Sequence, residues 1–473
     1  MPSALDPVIP WSSMMRLTSR ITVVVGLVVG GAGACKFPEL PPIDEDGAPG
    51  DGSGGDGTPG DGGDPDAATA CVPETETCAD GRYTQCDATG NFVQHLIPNG
   101  GASGEPFTIT MDAYDCPMGC HATAPRCADI DTLNVVNAAL DNGVSAVGAD
   151  IVLPLAGSPD GTIALDTGQF DSVAAEVRIT DTGGGTIRIP AEVLTQSPPA
   201  PAVLVLKTRT FTLRAGSTLR LDGARALAIA SHFDVRIEGV IDGSGQVGVA
   251  GQAAGPGSLG GPASCVGQWM SFVSGGAGNV SNGGRSSTGL TGGELHPAGP
   301  PALAGGCASS GVAGGGGGIQ LASRTRIALA STAQIDVSGG GGTGFTNVAL
   351  GGGSGGNVLL HAPVVFFGPG AVVAGRGGGG GAGGPSGGAS GAEGTLTGTA
   401  GAAGGTCSGC GTGGTGGTET SPPTNGTGST GALGGGGGAA GRCHVRTRTG
   451  TPIIPAGTMR LSSSSLVLAP RSP

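Results

Sequence analysis

Two stretches of this chain carry the same order of apolar residues 38 positions apart. GIQLASRTRIALASTAQIDVSGGGG begins at Gly318 and GNVLLHAPVVFFGPGAVVAGRGGGG at Gly356. Leu321 falls on Leu359, Ile327 on Val365, Leu329 on Phe367, Ala333 on Ala371, Ile335 on Val373 and Gly339 on Gly377. An earlier copy, ALAIASHFDVRIEGVIDGSG, aligns Leu227, Ile229, Val235 and Ile237 with Ile319, Leu321, Ile327 and Leu329, and Asp242 with Asp336. A weaker copy runs over 443–461. Each copy holds short runs of three to five residues in which apolar and polar residues alternate, the period of a strand. One such copy cannot close a core alone. Equal units stacked on one another can, by running Val, Ile, Leu and Ala into a continuous column. That solution suits a chain of 473 residues with 101 glycines and only 3% aromatics.

Alternation starts near Ile151 and recurs in AEVRITDTGGGTIRIPAEV and AVLVLKTRTFTLRAGSTLRLDG. The expected fold is all-β. The strand rhythm over 151–473 resembles the right-handed parallel β-helix (solenoid) of bacterial surface proteins and polysaccharide-degrading enzymes; a β-sandwich array is the competing reading. Two long Gly-rich insertions, 243–318 and 375–441, interrupt it, with 26 and 31 glycines. The glycines lack a strict every-third spacing, which excludes collagen. Both insertions leave and return at the same point of the repeat, so they are expected on one side of the column and together. Either polyglycine helices packed side by side or a flexible apron fits them. By composition they are similar to the glycine-rich PE-PGRS surface proteins of mycobacteria, without the Pro-Glu domain of that family.

The N-terminus reads as an export signal, 1–34. Arg16 and Arg20 precede the apolar run 21–29, the small residues 30–34 and then Cys35. A start at Met14 or Met15 would give a signal of about 20 residues. The arrangement resembles the bacterial lipoprotein signal, although Ala32 stands where that family prefers Leu. The resemblance implies that Cys35 is acylated and anchors the chain to a membrane. Lys36, in place of the Asp linked to inner-membrane retention, points to the outer membrane or cell surface. The stretch from Cys35 to residue 70 is dominated by Pro, Gly and Asp and reads as a disordered tether. Its spaced aspartates fit neither an EF-hand nor a calcium β-roll.

Cys71, Cys78, Cys86, Cys116, Cys120 and Cys127 define a module over 71–128. Six cysteines behind an export signal imply up to three disulfides of undetermined connectivity. A small hairpin is expected around Asp87 to Gly90, and a short capping helix within 129–150. Cys265 with Cys307 would close the first insertion, and Cys443 with Cys407 or Cys410 the second. Zinc held by Cys116, Cys120 and His121, or by Cys407, Cys410, Cys443 and His444, is the rival reading; no metal and no cofactor is expected.

No catalytic constellation is expected. GxSxG strings at Ser354 and Ser386 lie in glycine tracts, where chance supplies them. Asp222, Asp234, Glu238, Asp242 and Asp336 are the acids of the column; Asp242 and Asp336 occupy equivalent corners, where Asp before a turn bonds its own backbone. Trp269 and Phe272 are expected to plug the side of the column, with sugar stacking as the alternative. Net charge is −13, split as −20 over 1–200 and +7 over 201–473; with Arg scattered and stacking aromatics almost absent, the basic part is no nucleic-acid footprint. The expectation is a non-enzymatic surface lipoprotein with a structural, adhesive or envelope-matrix role, meeting extracellular polysaccharide or surface proteins. The alternative is a polysaccharide-active lyase or hydrolase.

Overall fold

The computed structural model describes residues 75–86, 114–129, 134–142, 148–198, 200–247, 264–270, 272–295, 302–309, 313–397 and 400–448, with short pieces at 72, 95–97, 109–111, 132, 144–145, 255, 257–258 and 459–460. The expected signal, Cys35, the tether, Cys71 and the turn at 87–90 lie outside the described residues. The described chain is nearly all strand; Val136–Asn142 is its one α-helix.

From residue 150 onward the chain visits three sets of parallel strands in a fixed order. The first set is Val203–Thr208, Ala226–Ser231, Gly318–Ser323, Asn357–His361 and Arg442–Arg446. The second is Asp150–Leu153, Thr210–Leu213, Val235–Ile237, Arg326–Leu329 and Val364–Phe367. The third is Thr162–Asp166, Thr218–Asp222, Val240–Asp242, Gln334–Asp336, Val372–Ala374 and Met459–Arg460. Two antiparallel strands, Glu176–Thr180 and Thr186–Leu194, join the first and third sets into one mostly parallel sheet of 13 strands.

Alternation decides what points inward. Leu206, Ile229, Leu321, Leu360 and Val445 are consecutive partners in one row. Ile151, Phe211, Val235, Ile327 and Val365 form another, and Ile163, Leu219, Ile241, Ile335 and Val373 a third. All are buried in one core, together with Val177, Ile179, Ile187 and Ile189 of the antiparallel strands. Each such side chain contributes roughly 1.5–3 kcal/mol by leaving water.

The 38-residue offset holds in two sets, with Ile327 beside Val365, Leu329 beside Phe367 and Ile335 beside Val373. In the first set it slips by one: Leu321 lies beside Leu360, and Leu359 beside Gln320. The corner after Leu360 is one residue shorter than that after Leu321, so the alignment that fits the later strands misplaces the first. Leu359 consequently sits on the outer surface, with Val205, Ala228 and the helix residues Val136, Ala139 and Leu140. The helix therefore covers the outside of the first set.

Cys443 is not joined to Cys407 or Cys410 as expected. It is a free, buried thiol, while Cys407 and Cys410 are bonded to each other. The alternation of Arg442–Arg446 turns Cys443 inward beside Val358, in the row of Leu204, Leu227 and Ile319. It serves there as a small apolar side chain.

In the cysteine-rich module Cys78 is joined to Cys120 and Cys116 to Cys127; Cys86 is also disulfide-bonded. Its hairpin pairs Glu76–Ala79 with Arg82–Gln85. The turn is Asp80-Gly81, both at positive φ (52° and 77°), as Asp-Gly favours in a two-residue hairpin loop. Tyr83 packs edge-on against Phe233 at 5.3 Å. Arg324, buried, donates to the Leu140 carbonyl and meets His232 Nδ1 at 2.6 Å and Asp129 at 3.5 Å, so one guanidinium ties the segment that follows the module, the helix and the column together.

Candidate functional site

Three insertions leave the third set of strands and return to the first: 243–317, 337–356 and 375–441. The short middle one has the same plan as the two long ones, and glycine tracts from all three interlock. Leu350, Gly353 and Gly356 donate backbone hydrogen bonds to Thr343, Gly340 and Val337 at 2.9, 2.9 and 2.6 Å. From the same tract Gly352 and Gly355 donate to Gly436 and Ala439, both at 2.9 Å. Gly351 and Ser354 donate in a third direction, to Ser274 Oγ and the Cys307 carbonyl. Gly435, Gly438 and Gly441 repeat the step of three onto Gly381, Gly378 and Gly375 at 2.9, 2.8 and 2.5 Å. A donor direction that returns every third residue is the signature of an extended threefold helix, which has no hydrogen bonds of its own. Lateral bonds supply them, so a segment almost without side chains leaves few backbone groups unpaired. The described tracts of the insertions form a lattice of glycine helices packed side by side.

Close approach is what demands glycine. A Cβ at Gly352 would strike the backbone of Gly378, at Gly377 that of Gly438, and at Gly436 that of Gly284, all nearer than real Cβ atoms come. None of these glycines has a positive φ. The Cys265–Cys307 disulfide is fully buried between tracts beside Ala277. Arg376, 1% exposed, donates to the Thr397 carbonyl at 3.0 Å and pairs with Glu419 at 3.3 Å. Glu393 accepts from the Val247 amide at 2.9 Å. Ser354 of the first GxSxG string is buried and accepts from the Cys307 amide at 2.8 Å, a lattice bond; Ser386 of the second lies in a hairpin turn between 382–384 and 387–389.

The lattice ends in hairpins. Trp269–Met270 pairs with Val273–Ser274, which joins Val348–Ala349 and through it Gly344–Phe345. Thr346 bridges to Gly384 of the hairpin Ala382–Gly384 with Gly387–Ala389. The tract of seven residues from 337 to 343 separates this end from the column by about 20 Å at 3.1 Å per residue. Trp269, Met270, Phe272 and Phe345 are 63, 64, 59 and 57% exposed. Trp269 and Phe272 do not plug the column; they stand at the far end of the lattice. Sequence reasoning marked these two because they are isolated in a glycine-rich segment, and missed Phe345 because the middle insertion was read as part of the repeat.

The acids of the column lie on the outward side of its strands or at their ends, and Asp234 is buried there. Asp242 lies in register between Arg220 and Asp336. Arg220 Nη1 donates to Asp242 Oδ2 at 2.6 Å, and Asp242 Oδ1 accepts from the Ser244 amide and hydroxyl at 3.1 and 2.7 Å. Asp336 Oδ1 accepts from the Ser338 amide at 2.9 Å. Burial pushes the Asp336 carboxyl up to about 6, the Asp242 charge adds to this, and the Ser338 bonds oppose it. Asp234 pairs with Arg326 at 2.7 Å and accepts from Thr325, and Glu238 pairs with Arg236. Asp222 lies 3.7 Å from Arg220 and is half exposed.

The sulfurs of Cys78, Cys116 and Cys120 lie within 4.8 Å of one another, but each is committed to a disulfide. Cys443, its thiol pushed up to about 12 by burial, sits in the column, so it forms no thiolate set with Cys407 and Cys410. His361 and His444 are lowered by burial to about 3 and 4, and His361 Nδ1 lies 3.3 Å from Gln320.

Comparison with protein-family models, curated proteins and solved structures finds no match to this chain.

Proposed function

We propose that this chain is a non-enzymatic, lipid-anchored surface protein in which a right-handed parallel β-helix carries a rigid glycine lattice for adhesion or envelope contact. The observation that carries the reading is the lattice itself. Three insertions leave the column at one corner, bond to one another and end together in hairpins, and those of the first two bear exposed aromatic rings. The fixed order of the three strand sets and their in-register partners support the β-helix; the right hand follows from the rule for parallel crossovers. Paired cysteines support an oxidising, exported location. Anchoring through Cys35 to the outer membrane rests on the N-terminal pattern. The test is surface proteolysis of intact cells: tip hairpins displayed outside are cleaved or labelled there, and hairpins facing the periplasm are reached only after the outer membrane is opened.

A second reading, a polysaccharide hydrolase or lyase, is favoured by Asp242 and Asp336. Neighbouring strands lie about 4.8 Å apart, near the spacing of roughly 5–5.5 Å between the carboxylates of retaining glycosidases. Against it, Asp242 is held by Arg220 and both acids bond their own turns. Turnover of pectin, alginate, hyaluronan or chitin that disappears in Asp336→Asn would establish it.

A further inference from the structure

We infer that the hairpin end of the glycine lattice is a binding surface for an uncharged glycan chain. The inference rests on the display reading above and names what is bound. Among the described residues, the aromatic side chains that stand exposed, Trp269, Phe272 and Phe345, all belong to one small sheet and its turn. Large apolar side chains gathered on a surface mark an interaction site. Their backbones are fixed: Val273 pairs with Ala349, and Phe345 with Val348, so little order remains to be imposed on binding.

The surroundings select the partner. Hairpins 269–274, 344–349, 382–389, 407–410 and 429–432 contain no Asp, Glu, Lys, Arg or His. What they do carry is hydroxyl and amide: Thr346, Asn347, Ser386, Ser408, Ser429 and Thr430 are all exposed. A sugar ring offers an apolar C–H face to an aromatic ring and a rim of hydroxyls to such groups. A phosphate backbone or an anionic lipid surface would call for clustered cations, and these hairpins have none. An anionic polysaccharide would likewise find no counter-charge on these hairpins. The preferred occupant is therefore neutral.

The experiment is co-sedimentation of the full chain, in detergent, with insoluble chitin, cellulose and xylan, beside soluble alginate and hyaluronan, phosphatidylcholine vesicles, and a sizing run. Wild type should bind at least one neutral glycan. Trp269→Ala and Phe345→Ala should each weaken that binding at least tenfold with unchanged melting, while Leu295→Ala, an exposed residue outside these hairpins, leaves it intact. Binding to no neutral glycan, equal binding to anionic ones, or a Trp269-dependent preference for vesicles or for a second copy would each overturn the inference. Surface proteolysis separates the two failures. A tip exposed on cells that binds no neutral glycan ends this inference alone, whereas an enclosed tip ends the display reading.

Discussion

Asp242 and Asp336 lie side by side on adjacent parallel strands, although the whole first glycine insertion separates them along the chain. The insertion leaves the column and comes back without disturbing the register. The consequence is electrostatic. Two carboxylates share one surface with a single arginine, Arg220, bonded to Asp242.

Asp336 should make stability depend on pH. Its carboxyl is raised from the usual 3.8 to about 6 in the folded chain, so the folded state binds the proton more tightly. The resulting stabilisation is fully present below about pH 3.8 and is lost as pH rises through 6. Two pH units correspond to about 3 kcal/mol at most. Asp336→Asn should therefore flatten the melting temperature between pH 4 and 6 and raise it at pH 7. Thermal melts across that range check this; an unchanged slope refutes it.

Gly378→Ala should destabilise the lattice by about 1–3 kcal/mol, the usual cost of overpacking, because the added methyl meets the backbone of Gly340. Gly289→Ala is the comparison: nothing lies within 4 Å of its added methyl, and φ is +85°, so the cost is only about 1–2 kcal/mol of backbone strain. Disulfide-intact denaturant unfolding and hydrogen exchange read the difference. Exchange should rise across 340–353 and 435–441 in the first variant only.

Cys443 should resist alkylation in the native protein. Its thiol is buried and pushed up to about 12, so almost no thiolate exists at pH 8. Mass mapping without reduction should recover Cys265–Cys307 and Cys407–Cys410 as pairs, with Cys443 labelled only after unfolding. Cys443→Val should fold normally, since Val358 already fills the neighbouring position of that row.

Cys35→Ser should release the exported protein from the membrane fraction and remove the acyl mass. Wild type without lipid would end the anchor proposal.

The column was legible because its pattern is carried by side chains. Ile327 and Val365, or Ile335 and Val373, announce their pairing by alternation and equal spacing. Leu321 and Leu360 do not, because a corner shortened by one residue leaves no mark of its own. The lattice was only half legible. Glycine abundance shows that something must pack closely, but a threefold backbone without side chains writes no period into the sequence. Arg324 with Asp129, and Arg376 with Glu419, were out of reach for a different reason: their partners are brought together by folding over long separations. The hairpin turn at Asp80-Gly81 was readable as Asp-Gly between two short strands and went unread, while the turn expected at Asp87 to Gly90 lies outside the described residues.

The tract 434–441 is bonded on several sides. Gly436 and Ala439 donate to Ser274 and Ala277 of the first insertion, Gly435 and Gly438 to Gly381 and Gly378, and Gly436 accepts from Gly352 of the second. A chain made from its N-terminus can thus stack strand upon strand as it emerges, yet its first two glycine arms, bonded to each other, lack their third partner until the last arm arrives. Platform and column mature on different clocks, and a chain interrupted before residue 434 would keep a column while its arms remained without their common neighbour.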